Sequence, residues 1–361
     1  MFSNRTGSCH VCLSTTPIVP AALNVCARCI SKEFTKLQSG ISTVHAATRA
    51  VFDLPARPPE HLKGVICNYC ANQCRIGENE TGFCGLRKVQ NGRLVNLAGT
   101  PGHGLLRYYH DPLPTNCVAD WVCEGYKHPT CHNLAVFYES CTMNCLFCQN
   151  WHFRRVSPGD HAGVSAEDLT AAATHSTFCV CFFGGDPSSQ MPHALAASKL
   201  LAEKEVRICW ETNGMMNPKY LDKAIDYAVL TGGCIKFDLK AYDDELHRAL
   251  TGISNKPVKR NFISAAERSY ERSLPPLVVA STLLVPGYVD AEQVHRIAQF
   301  IAGLNPEIPY SLLGFAPQFY MTDLPFTSAR HAREAEAAAL DAGLVNVRIG
   351  NKHLLGRDYA E

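Results

Sequence analysis

The chain has 361 residues, 46% of them hydrophobic, and a formal net charge of +1. That length accommodates one large domain and a smaller one, with enough apolar material for a sizeable core. The near-neutral balance gives no electrostatic case for a nucleic-acid partner, which would call for a basic patch, and no apolar run is long enough to span a membrane. Pro17 and Pro20 break the apolar stretch near the N-terminus. That stretch does not read as a signal peptide, and a cytoplasmic location is expected.

Eighteen cysteines are many for such a chain. In a cytoplasmic protein they point to metals rather than disulfides. Cys9-x2-Cys12 and Cys26-x2-Cys29 have the spacing of a tetrahedral four-thiolate zinc site. Pro17 and Pro20 put a loop between the pairs, and residues 30–51 have helical composition. Pro55, Pro58 and Pro59 mark a linker. Cys67, Cys70, Cys74 and Cys84 predict a second closed site, for zinc or for an iron–sulfur cluster. Residues 93–98 read as a strand. Cys117, Cys123 and Cys131 are irregularly spaced. They read either as packed thiols or as ligands or a thiol near the active site, and Trp121, Tyr126 and His128 beside them read as pocket or core.

From residue 133 onward, apolar strands alternate with helical stretches. Strands are expected at 134–138, 178–183, 205–210, 235–238, 277–284 and 310–315, with helices at 166–175, 190–204 and 332–342. Continuous apolar strands alternating with helices predict an α/β fold, a parallel sheet covered by helices. The order fits a complete or partial β/α barrel, whose chemistry sits at the C-terminal strand ends. Cys179, Cys181, Cys209 and Cys234 lie in these strands and read as small buried hydrophobes. Three parts are expected: a zinc-knuckle module at 1–54, a second four-cysteine module with a connecting segment at 55–132, and the barrel at 133–361.

Cys141, Cys145 and Cys148 form C-x3-C-x2-C just after the first barrel strand. Three thiolates on one short loop can hold three irons of a 4Fe–4S cluster. The fourth iron is then open to substrate, as in catalytic metal sites generally. A zinc knuckle with a distant fourth ligand is the plainer alternative. Further motifs follow at strand ends: Gly184-Gly185-Asp186-Pro187, Glu211-Thr-Asn213-Gly214, Asp238-Leu-Lys240 and Val285-Pro-Gly287.

This ordered set resembles the radical S-adenosylmethionine (SAM) superfamily. The resemblance implies that SAM chelates the open iron and is cleaved by one electron to a 5′-deoxyadenosyl radical. It implies that Gly184, Gly185 and Asp186 match the Gly-Gly-Glu motif that holds the SAM amino group, with a side chain one methylene shorter. Glu211, Asn213, Asp238 and Lys240 would meet the ribose hydroxyls and methionine carboxylate, and Phe147 would pack near adenine. Tyr138 and Tyr320 lie within reach of the pocket in this reading.

Residues 133–353 resemble the glycyl-radical-activase branch, notably in Asp238–Gly252. Cys148-Gln-Asn-Trp151 and Cys84-Gly-Leu-Arg87 are more similar to a neighbouring group of AmmeMemoRadiSam type. Gly184–Pro187 and Val347–Leu355 resemble methanogen enzymes that C-methylate glutamine in methyl-coenzyme M reductase. That last resemblance implies a protein C-methyltransferase using methylcobalamin, although the chain has no D-x-H-x-x-G cobalamin motif. The alternative is a glycyl-radical activase or other hydrogen-abstracting protein modifier. Against the activase form, Phe315-Ala-Pro-Gln-Phe319 lacks the Pro-Tyr-His histidine. Either enzyme implies a protein substrate and a low-potential electron donor such as flavodoxin or ferredoxin. A zinc-dependent scaffold or RNA-binding module is the non-enzymatic reading.

Overall fold

A computed structural model describes residues 7–15, 18–114, 117–155, 158 and 163–359. Pro17 lies outside them. The chain opens with a cysteine-rich loop and helix α1 (Ala27–Ala50). Two short antiparallel ribbons follow, β1 (Val65–Ile66) with β2 (Arg75–Ile76) and β3 (Arg87–Gln90) with β4 (Arg93–Asn96). Then come β5 (Leu106–Pro112), β6 (His132–Tyr138), α2 (Ala166–Ala171), β7 (Thr177–Gly184), α3 (Met191–Glu203), β8 (Arg207–Thr212) and α4 (Pro218–Thr231). The second half holds β9 (Ile235–Asp238), α5 (Asp244–Thr251), α6 (Lys256–Glu267), β10 (Val278–Leu284), α7 (Ala291–Ala302), β11 (Tyr310–Gly314), α8 (Ala329–Asp341) and β12 (Val347–Gly350).

Local chemistry sets the helix ends. Ser165 and Asp168 form a reciprocal capping box on α2. Asn217 caps α4, Pro218 opens it, and left-handed Gly232 (φ +75°) closes it. Ser328 accepts from His331 N–H at the start of α8.

The eight strands β5 to β12 form one sheet in order β12-β11-β10-β9-β8-β7-β6-β5. All neighbours are parallel except β5, which runs antiparallel to β6 from Leu106↔Tyr138 to Pro112↔His132. β5 falls within the 55–132 stretch, so that stretch contributes an edge strand to the main sheet. The two sheet ends meet around one cavity, whose wall includes Tyr109 of β5 and Arg348 of β12. The sheet is therefore curled, with the seam between β5 and β12 left unpaired.

One main core joins the sheet, its helices and the N-terminal module, from Cys9 and Ile18 to Ile349. Tyr288 donates its hydroxyl to Val25 O at 2.7 Å. At Gly287 (φ +76°) a Cβ would lie 2.2 Å from Ile18 O. The Val285-Pro-Gly287 turn thus receives the N-terminal module instead of facing the cavity.

Candidate active site

The cysteine loop leaves β6 at Tyr138 and is held on every side. Ser140 N–H donates to Phe153 O at 2.9 Å, and Gly185 N–H to Tyr138 O at 2.9 Å. A Cβ at Gly185 would lie 2.0 Å from Ser140 O, so only glycine lets the β7 tip close on the loop. Asn144 N–H and Leu146 N–H donate to Thr251 O and Leu250 O at the end of α5, at 2.8 and 2.9 Å. From the N-terminal region, Asn72 Nδ2 donates to Thr142 O at 2.8 Å. Asn144 Nδ2 donates to His45 Nδ1 at 2.9 Å and to Thr48 Oγ1 at 2.8 Å on α1. The His45 Nε2–H then donates to Ala249 O at 3.0 Å.

A cavity of about 200 Å³ lies on this loop. Its walls carry all three loop cysteines and the eight other residues expected around SAM: Phe147, Gly184, Gly185, Asp186, Glu211, Asn213, Asp238 and Lys240. Tyr138 and Tyr320 do not line it; Tyr138 is fully buried and bonds His193 Nδ1 at 2.8 Å.

Asp186 is 3% exposed, and both its oxygens accept from the protein. Oδ1 takes Ser188 N–H at 2.7 Å; Oδ2 takes Asn213 N–H at 2.6 Å and the Thr212 hydroxyl at 3.1 Å. It ties the ends of β7 and β8 together. Burial pushes its carboxyl above the ordinary value against these bonds. Asn213 Nδ2 reaches Cys141 Sγ at 3.5 Å and Thr142 Oγ1 at 3.0 Å. Lys240 pairs with Asp238. Burial works against its ammonium, but Asp238 and Cys145 outweigh burial and hold the pKa above its usual range. Burial also pushes the Cys145 thiol up to about 11.

Arg154 is a site residue that sequence reading missed. It is 4% exposed and lines the cavity. Nη2 donates to Cys145 O at 3.2 Å, while Nε and Nη1 have no partner among the described residues. Two unpaired buried donors beside three thiols suit an anionic group there, a thiolate-bound cluster or a carboxylate. A single zinc ion puts sulfurs about 3.8 Å apart for metal–sulfur bonds of about 2.3 Å, whereas thiolates on separate irons stand wider. Cys9, Cys12, Cys26 and Cys29 bring their sulfurs within 4.8 Å of one another and could hold a metal ion. Among the described residues no other set of three or more does so, neither Cys141, Cys145 and Cys148 nor Cys67, Cys70, Cys74 and Cys84. Burial works against the Cys9 thiolate, but the amides of Cys12, Cys26 and Val11 outweigh it and bring the thiol down to about 6. In the 67–84 set, burial pushes Cys74 up to about 12.

A larger cavity of about 580 Å³ adjoins the first. Gln149, Asn150, Phe183, Glu211 and Leu313 line both. Trp121 lines the larger one, while Tyr126 is exposed and His128 packs on Phe178. The strand cysteines need a correction here. Cys234 does pack as a hydrophobe, with Ala119 and Val279. Cys181 instead faces the cavity, 3.0 Å from Lys236 Nζ. It shares a face with Cys209 by register, and Glu211 stands beside Lys236.

A mainly parallel sheet carries a three-thiol loop at the C-terminal end of its first parallel strand, an α/β domain with a thiol-lined cavity. Residues 135–301 match the family model of the Radical SAM superfamily. Of the relatives, the isethionate sulfite-lyase activating enzyme of Oleidesulfovibrio alaskensis is 32% identical over 36% of this chain and 41% of its own length. The chain thus matches less than half of that enzyme. An uncharacterized protein of Methanocaldococcus jannaschii is 24% identical over 80% of this chain and 81% of its own. The pyruvate formate-lyase 1-activating enzyme of Escherichia coli is 28% identical over 49% of this chain and 74% of its own.

Proposed function

We propose that the chain is a radical SAM enzyme that abstracts a hydrogen atom from a residue of a partner protein. The observation that carries this is the single cavity joining the three loop thiols to the strand-end polar groups and opening into a larger cavity. A 4Fe–4S cluster on Cys141, Cys145 and Cys148, with SAM at its open iron, supplies one-electron sulfonium cleavage and a 5′-deoxyadenosyl radical when bound. The chain's own groups position the reactants. Arg154 and Lys240 offer cationic donors for the methionine carboxylate. Asp186 fixes the tips of β7 and β8 under it. Phe147, 4% exposed, gives an apolar wall for the base. The larger cavity receives the substrate residue next to the cleavage site.

The named relatives are activating enzymes, which supports a protein substrate. Activation of a glycyl-radical enzyme is therefore the second reading. Methylcobalamin-dependent C-methylation of methyl-coenzyme M reductase shares the hydrogen-abstraction step, but none of these relatives' names carries it. A flavodoxin or ferredoxin would supply the electron. Anaerobically reconstituted protein with a low-potential reductant should convert SAM to 5′-deoxyadenosine, and alanine at any of the three loop cysteines should abolish this. Absence of SAM cleavage by the reconstituted protein would return the chain to a scaffold role. For Cys9, Cys12, Cys26 and Cys29 the fitting metal is zinc. Elemental analysis should find a zinc equivalent that C9S/C26S loses, while a zinc content unchanged by that pair would refute the assignment.

A further inference from the structure

Lys236 on β9 is 1% exposed and has three partners inside the curled sheet. Its Nζ lies 3.0 Å from Cys117 Sγ, 3.0 Å from Cys181 Sγ and 3.5 Å from Glu211 Oε2. Both sulfurs and Glu211 line the 580 Å³ cavity, and Glu211 lines the cluster cavity as well. An ammonium has three N–H donors and accepts nothing. It therefore donates to each sulfur, and any S–H on those sulfurs must point away from it. Burial pushes the Cys117 thiol up, with Lys236 opposing only in part, so the sulfur keeps its hydrogen at neutral pH. Cys181 is the more deeply buried of the two, at 5% exposure. A thiol S–H bond is weaker than an aliphatic C–H bond. An aliphatic side-chain carbon radical in this cavity would take the sulfur's hydrogen downhill.

We infer that Cys117 is a hydrogen-atom donor of the cavity, closing a carbon radical formed there. The inference rests on the radical SAM reading above. In the step, the Cys117 S–H bond breaks homolytically, a C–H bond forms on the substrate, and the unpaired electron passes to Sγ. One electron from a low-potential protein donor, of the class that reduces the cluster, converts the sulfur radical to a thiolate. The ammonium at 3.0 Å stabilises that anion and gives it a proton. Glu211, one-third exposed, then relays a solvent proton back to Lys236. The residue leaves without an unpaired electron and with its composition restored, only the configuration at that carbon being open to change. This separates the chain's chemistry from glycyl-radical activation, where the radical must persist on the partner.

The test needs no substrate. Reconstituted protein cleaves SAM in heavy water without added thiol, and mass spectrometry reads the deuterium in 5′-deoxyadenosine. Sulfur hydrogens exchange with solvent and carbon hydrogens do not. Wild type should yield 5′-deoxyadenosine carrying one solvent deuterium. C117S keeps the shape, but its O–H bond is too strong to give up hydrogen, so its product should lose the deuterium. Deuterium retained in C117S, or lost in C181S but not in C117S, overturns the inference. If no variant and no wild type forms 5′-deoxyadenosine, the radical SAM reading itself fails, an outcome distinct from product without deuterium. In the cluster-free chain, a small organomercurial, which binds sulfur strongly enough to displace the thiol hydrogen even where burial raises the pKa, should label Cys117 in peptide mass spectrometry. A Cys117 that resists labelling is closed to the cavity and cannot act this way.

Discussion

At the residue scale, the site is defined by which buried polar groups are satisfied and which are not. Asp186 has every oxygen occupied by backbone and hydroxyl donors, so its first role is to hold two strand ends together. Arg154 is the reverse case, with two buried donors left for a bound anion. Charge-assisted hydrogen bonds contribute about 1.5–3 kcal/mol each. Arg154→Met should therefore weaken SAM binding by about 10- to 100-fold, read by equilibrium dialysis on the reconstituted protein. Unchanged affinity would remove Arg154 from the site. Neither role was legible from the sequence. Asp186 stood out by its motif, which says nothing of its partners, and Arg154 lacks a motif of its own.

At the scale of elements, α1 belongs to the active site as much as the barrel strands do. Its His45 and Thr48 grip Asn144 between the first two loop cysteines. The His45 Nδ1 accepts and Nε2–H donates, so one ring links the loop to α5. Removing the ring leaves one of the two N–H groups of the buried Asn144 amide without its partner, at a cost of about 1–3 kcal/mol. His45→Ala should lower iron retention after reconstitution, whereas exposed Lys32→Ala on the same helix should not. Equal iron content in both variants would show that α1 is only packed alongside. The helix itself was readable from the composition of residues 30–51, but its contact to residue 144 was not. Likewise β5 was missed, because Leu106–Pro112 is polar and mostly exposed and pairs antiparallel on a sheet edge. The parallel strands β6 to β11 were found because burial on both faces leaves continuous apolar runs, whereas the short, half-buried β12 was not.

At the scale of the whole molecule, acid sensitivity follows from buried imidazoles. Burial brings His45, His193 and His247 each down to about 4 from an ordinary value of 6.5. Between those values the unfolded chain binds more protons than the folded one. The neutral rings' contribution is thus complete above pH 6.5, is lost as pH falls toward 4, and changes no further below that. Each ring accounts for on the order of 3 kcal/mol. Asp186, with its raised pKa, works in the opposite direction but is a single group. Urea unfolding midpoints should fall steeply from pH 6.5 to 4, and His193→Asn should reduce that slope. A flat profile would contradict the burial of these rings.

Short-range covalent order determined what the sequence alone could determine. Three cysteines within eight residues must share a loop, paired C-x2-C knuckles must converge, and apolar runs of strand length must enter a parallel sheet. Only the tertiary structure decided which distant groups meet. Lys236 and Cys117 are separated by 119 positions, and Asn144 and His45 by 99. Their encounters depend on how the sheet curls and where the N-terminal module docks. Such pairings come from packing a three-dimensional core, and residue spacing along the chain holds no local trace of them.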